Sequence, residues 1–277
     1  ALWATTTSRA MAAVFLTVLV LALGHRIGRT ERRGLVRVLP IGLLDALHKL
    51  FVDGRVCFLK FNPVNDYLEP HSAHILAPLI KRGFVGMCKG GAAEGVFLCQ
   101  HPLVEELHIT GSDKTHDAIL FGVGDDGRKN KAERAIQNER EMTCELGNVS
   151  PVIVVPGPWG AGDFAQQGEA IASQITANVG FNCITARVVI NHSSWDGRAK
   201  LLDSVRKTLA EAAPRHAYYP GARDRYDSFV AAHPEAERFG SDDGGKVPYT
   251  FIPGVDSSKS DDIVFNTEAF APVMAET

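Results

Sequence analysis

The ten residues Asn178-Val179-Gly180-Phe181-Asn182-Cys183-Ile184-Thr185-Ala186-Arg187 constrain this chain more than any other stretch. A glycine turn leads to one cysteine, and the β-branched run Val188-Val189-Ile190 follows. The segment before it, Phe164 to Ala177, has helical character. Helix, tight turn and buried strand in that order place Cys183 on a loop between a helix and a strand. A side chain there is held rigidly and can still reach a ligand. A lone cysteine before a strand is ordinarily a small buried hydrophobe, so position alone leaves two readings, core filler and nucleophile.

The same alternation runs through the rest of the chain. Leu43, Leu44, Leu47, Leu50 and Phe51 recur at helical spacing, Val56 to Leu59 reads as a buried strand, and Pro70 to Lys81 as a second helix. Phe84 to Met87 is a short strand, and Gly90-Gly91 opens another helix. Val104 to Ile109 runs into Thr110-Gly111-Ser112, and the charged stretch Gly122 to Met142 reads as a solvated loop or helix. Further on, Val152 to Val155 is a strand, Leu201 to Ala212 and Arg223 to Ala232 are helices, Tyr218 to Gly221 is a turn, and Glu237 to Gly254 is loop-rich. The fold class is therefore α/β: a mainly parallel, Rossmann-like sheet with crossover helices, then a second α/β domain. The 277 residues are enough for two ordinary domains. A net charge of −3 implies no general affinity for nucleic acid or anionic lipid. The five cysteines form no CxxC pair, which suggests neither a metal site nor a disulfide framework and fits a reducing, cytoplasmic setting.

Ligands of such sheets bind at the carboxyl ends of the strands. Lys60 lies at one such end, where it can reach ribose hydroxyls or phosphate. Ser112 lies at another, where its hydroxyl and backbone N–H suit pyrophosphate, or simply cap a helix. No G-x-G-x-x-G is present. The order of Lys60 with Asn62-Pro63, Gly90-Gly91-x-x-x-Gly95, His101-Pro102, Thr110-Gly111-Ser112, Glu145-Leu146-Gly147-Asn148-Val149-Ser150-Pro151, the N-x-G-x-x-C loop and Glu268-Ala269-Phe270-Ala271-Pro272-Val273 resembles the aldehyde dehydrogenase superfamily, from about residue 40 onward.

That resemblance implies NAD or NADP as cofactor and an aldehyde as substrate. It assigns Lys60 to the adenosine ribose, Gly91 and Gly95 to the adenine and pyrophosphate region, and Ser112 to the pyrophosphate. Gly147 joins the cofactor-binding set, Glu268 binds the nicotinamide ribose, and Phe270 packs beside the nicotinamide. Cys183 attacks the carbonyl, and Glu145 is the base that directs water onto the thioester, a role that suits a carboxylate whose pKa burial has raised. Residues 38–144 become the cofactor-binding domain and 145–277 the catalytic domain, both partial. A homo-oligomer is implied for the full-length protein.

The sequence departs from the family pattern at four points. No asparagine before the Lys60 strand can serve as the oxyanion donor, whose loss costs roughly 10²–10³ in rate. Asn148 stands where the family has a second glycine, Arg187 follows Cys183 one residue early, and the chain stops soon after Glu268. The chain accordingly reads as a truncated or internally deleted member. Residues 1–37 form a leader. Its apolar run Ala10 to Gly24, about 22 Å long at ~1.5 Å per residue, and its arginines allow a buried helix, a membrane anchor or a cleaved signal. Two alternatives to an NAD(P)-dependent dehydrogenase stay open: an acylating, coenzyme A-dependent reductase of the same superfamily, and an inactive membrane-tethered remnant.

Overall fold

The computed structural model describes residues 41–277. The leader, with its proposed membrane contact through residues 10–24, lies outside the described residues. Among the described residues, no helix is long and apolar enough to cross a membrane. The chain forms two compact units. One takes in residues up to Thr110 and Asp117–Cys144; the other takes in Gly111–His116 and Glu145–Thr277.

In the first unit, residues 41–51 are helical (α1). Strand β1 (Cys57–Phe61), helix α2 (Glu69–Ile80) and strand β2 (Val85–Lys89) form a β-α-β crossover, and the strands pair in parallel from Cys57↔Val85 to Phe61↔Lys89. Lys60 therefore lies within β1, opposite Cys88, and not just beyond a strand ending at Leu59. Pro70 sits in the first turn of α2, where its missing N–H has no cost. Helix α3 (Ala92–Gln100) follows β2, and β3 (Glu106–Gly111) pairs with β4 (Glu141–Leu146). Between them run α4 (Asp113–Phe121) and α5 (Gly124–Glu133), so the charged stretch contains a real helix. The core is small: Leu43, Phe61, Leu68, Leu76 and Val85.

The second unit is built on a five-stranded sheet in the order β5-β6-β9-β8-β7. Its strands are β5 (Ser150–Ile153), β6 (Ala186–Ile190), β7 (Glu237–Phe239), β8 (Tyr249–Ile252) and β9 (Val273–Glu276). All neighbours are parallel except the edge strand β7. Pro151 is tolerated because β5 is the other edge. Helices α6 (Ala161–Thr176) and α7 (Arg198–Glu211) cover one face. Ile171, Ile175, Leu201, Val205 and Leu209 pack there on Val189, Phe251 and Met274. Helices α8 (Ala222–Ala232) and α9 (Ile263–Asn266) cover the other, with Tyr226, Phe229 and Val264 on Ile252, Val273 and Ala275. Phe251 and Ile252, or Met274 and Ala275, thus serve opposite faces, as the strand pleat requires. Covered on both sides, the central strands read as continuous apolar runs.

The region Glu237 to Gly254, read from sequence as loop-rich, contains β7 and the central strand β8. Tyr249-Thr250-Phe251-Ile252 is too short and too close to glycines and prolines to declare itself locally, and only burial between two helical layers makes it a strand.

Candidate active site

The second unit brings together three stretches that lie far apart in the chain. The first is the segment after β4, Gly147-Asn148. The Asn148 side-chain amide donates to the Cys183 carbonyl oxygen at 2.9 Å, so the cysteine turn is tied to it directly. The Ser150 hydroxyl donates to the Asn148 side-chain oxygen. The Asn148 backbone N–H donates to the Glu268 carboxylate. That carboxylate lies so close over Gly147 that a Cβ built there would collide with it, which is a physical reason for glycine at this position.

The second stretch carries Cys183. Asn178, Val179 and Gly180 are all left-handed, with φ of 53°, 56° and 71°. For glycine this is free; for the β-branched and buried Val179 it is strain of order 1–3 kcal/mol. Asn178 stabilises the turn through its side chain, donating to Phe181 O at 3.0 Å and accepting from the Tyr218 hydroxyl at 3.1 Å. Thr185 N donates to Asn182 O, closing a turn around the half-buried Cys183 just before β6 begins. The helix-turn-strand placement expected from sequence is the one observed.

Arg187, four residues beyond Cys183, points into the interior of β6 and is 4% exposed. Its guanidinium donates to Ala271 O at 2.7 Å and Gly180 O at 2.6 Å, so it locks the cysteine turn to the segment after Phe270. Burial lowers its pKa to about 10, against the opposing attraction of Glu268.

The third stretch is Glu268 to Phe270. Glu268 has its pKa raised by burial, partly offset by Arg187, the Asn148 N–H and Arg225. Its Oε1 is buried without a hydrogen-bond partner. Phe270 is also left-handed, at φ 37°. Its ring packs on Phe181 and Tyr219, with centroids 5.7 and 4.8 Å away. Arg225 braces the segment, donating to Ala269 O and Phe270 O and lying 5.8 Å over the Phe270 ring. Sequence reading passed over Arg225 and took Tyr218 and Tyr219 only as a turn. The available signal was an arginine inside an apolar strand at Arg187 and two adjacent aromatics at Tyr218-Tyr219.

The remaining candidates sit differently. Glu145 is exposed near the end of β4, so burial does not supply the environment envisaged for a tuned base. Ser112 uses its hydroxyl locally, accepting from Thr115 N at 3.2 Å and bonding the Thr115 hydroxyl at 3.0 Å, as a helix cap does. In the first unit, the Lys60 side chain passes the first turn of α3, 3.7 Å from where a Cβ on Gly95 would stand. Gly91 caps that helix, and its N–H is taken by the Glu94 carboxylate at 2.7 Å. That bond is the largest contribution from outside Glu94 itself to its lowered pKa, after its own backbone N–H. Lys60, Gly91 and Gly95 thus lie together at one helix N-terminus.

No family model matches the chain. Human 4-trimethylaminobutyraldehyde dehydrogenase is 34% identical over 90 residues, which is 31% of this chain and 16% of the relative. The Danio rerio form A is 30% identical over 92 residues, with the same shares. Each match thus spans under a fifth of the curated relative. Among solved structures, an NAD-dependent aldehyde dehydrogenase from Sinorhizobium meliloti superposes with a TM-score of 0.62 at 15% identity, covering 94% of this chain and 63% of that one. Aldehyde dehydrogenase C from Pseudomonas syringae, solved with NAD+ and octanal, gives 0.60 at 19% identity, covering 79% and 51%. The chain is thus similar in sequence to aldehyde dehydrogenases over about a third of its length and shares the fold of solved aldehyde dehydrogenases over most of it.

Proposed function

We propose that the chain carries the chemistry of an NAD(P)-dependent aldehyde oxidation centred on Cys183, with residues 145–277 as the catalytic part and 38–144 as the cofactor-binding part. The observation that carries the reading is the meeting of Asn148, Cys183 and Glu268 in one hydrogen-bonded locus, since these residues belong to the three motifs that the family resemblance singles out. The solved neighbours bound to NAD+ support the choice of cofactor.

The residues present fit a dinucleotide. Glu268 Oε1 is an acceptor buried without a partner, and the absence of a side chain at Gly147 is what lets that carboxylate lie there. Glu268 would hold the nicotinamide ribose hydroxyls and Phe270 would flank the ring. By the family resemblance Lys60, Gly91, Gly95 and Ser112 would be assigned to the adenosine and pyrophosphate end. NAD, when bound, supplies the hydride acceptor.

The protein's own part begins with the Cys183 thiolate, which adds to the aldehyde carbon and moves the carbonyl π electrons onto oxygen. The left-handed turn and the Asn148 bond to the Cys183 carbonyl fix the backbone that carries the sulfur, which lowers the entropy lost in aligning it. Loss of hydride from the thiohemiacetal carbon leaves a thioester on Cys183. Glu145, open to solvent, takes the proton of an attacking water, the carboxylic acid departs and the thiolate is restored.

A single-turnover assay tests this. The chain is mixed with NAD and, separately, octanal and 4-trimethylaminobutyraldehyde. A burst of NADH absorbance is expected, absent in Cys183→Ser. NAD binding with no burst in either protein would leave the fold without the chemistry and sink the proposal.

A further inference from the structure

Asn148 is where this sequence departs from the glycine of the family motif, and the structure gives the extra atoms a use. Glycine could supply only the backbone N–H that reaches Glu268. The asparagine adds a side-chain amide that donates to the Cys183 carbonyl at 2.9 Å, and its own oxygen is held by the Ser150 hydroxyl. One residue therefore bridges the nucleophile's turn and the carboxylate segment.

We propose that Asn148 is a positioning residue that fixes the Cys183 turn through its side-chain amide, an inference that rests on the reading of Cys183 as nucleophile. The carbonyl that Asn148 holds sets the peptide plane between Cys183 and Ile184, and with it the direction of the cysteine Cα–Cβ bond. On the other side the turn is defined by the left-handed Asn178-Val179-Gly180 run and by Arg187 on Gly180 O. Asn148 supplies the restraint on the downstream side, where the chain leaves the turn for Thr185. A misplacement of about 1 Å in a reacting group costs on the order of 10²-fold in rate, so the bond acts on the chemical step more than on stability.

The test compares the whole chain with Asn148→Gly and Asn148→Ala. Iodoacetamide alkylation of Cys183 is followed across pH by peptide mass spectrometry, with the exposed Cys144 as internal reference. The NADH burst is measured in parallel. Both variants should shift the Cys183 pH–rate profile and lower the burst rate about tenfold or more, leaving Cys144 alkylation and the circular dichroism spectrum unchanged. Superimposable Cys183 profiles in all three proteins overturn the proposal, as does a Cys183 inert in all of them. A parallel loss at Cys144 or in the spectrum would mean unfolding and overturns it too, since the role would be structural. A wild-type chain that shows no burst refutes the dehydrogenase reading while the alkylation comparison still decides the role of Asn148.

Discussion

The two units solve the same problem with unequal means. In the second, a parallel sheet lies between two helical layers, and Phe251, Ile252, Met274 and Val189 are wholly buried. In the first, a β-α-β pair covers five core residues, while Phe97, Leu103 and Val123 are 64%, 85% and 77% exposed. The residues proposed for chemistry follow the same division. In the second unit the turn of the half-buried Cys183 is tied by the buried Arg187, through Gly180 O and Ala271 O, and by the exposed Asn148. In the first, Lys60, Gly91 and Gly95 share one solvated helix end. Depth of burial fixes geometry: a group surrounded on all sides has one position, whereas a half-exposed lysine has many.

The largest predicted effect separates the cores. Phe251→Ala should cost about 3–5 kcal/mol, because the closed sheet cannot collapse into the space. Leu76→Ala in the first unit should fall near the lower end of the usual range, about 2–3 kcal/mol, since its neighbours can relax toward solvent. Urea unfolding followed by a probe in each unit would reverse the comparison if Leu76 proved the costlier site.

In the first unit Arg140 donates to Val104 O at 2.7 Å and to Gln100 O and His101 O at 3.3 Å. Arg140→Met should cost about 1.5–3 kcal/mol by leaving those carbonyls without donors. A loss below the experimental error would show that this unit is held by something other than its polar ties.

Gly147→Ala drives a methyl group into the Glu268 carboxylate. It should destabilise the second unit by about 1–3 kcal/mol as an overpacked site and weaken NAD binding, read by isothermal titration. Unchanged binding would remove Glu268 from the cofactor site.

The smallest effect concerns pH. His233 is buried between Glu235, at 2.8 Å, and Asp262, at 3.0 Å, and so ties the end of α8 to the start of α9. Burial works against its charged form, but the bonds to both carboxylates outweigh it and hold the pKa above the ordinary histidine value. A raised folded pKa means that its stabilisation is complete below about pH 6.5 and fades as pH rises through the folded value. His233→Gln should therefore lower Tm at pH 5.5 more than at pH 9. Equal losses at both would show that the ring acts only by packing.

The sequence by itself determined the class of fold and the position of the cysteine. The run Val188-Val189-Ile190 can only be a buried strand, and the glycine before it needs a left-handed turn. The order of the short motifs also carried the resemblance to aldehyde dehydrogenases, whose fold the chain shares. Tertiary structure alone decided which of these residues meet. Nothing local in Asn148 points toward Cys183, nothing in Arg187 toward Ala271, and nothing in Glu268 toward Gly147, because each contact spans from 35 to 121 positions along the chain. The sequence left open whether Glu145 would be buried or a surface carboxylate, and the fold leaves it exposed. The strands β8 and β9 went unread for the same reason. Hydrophobic periodicity reports the two sides of one segment, whereas a strand buried on both faces is defined by helices from elsewhere in the chain.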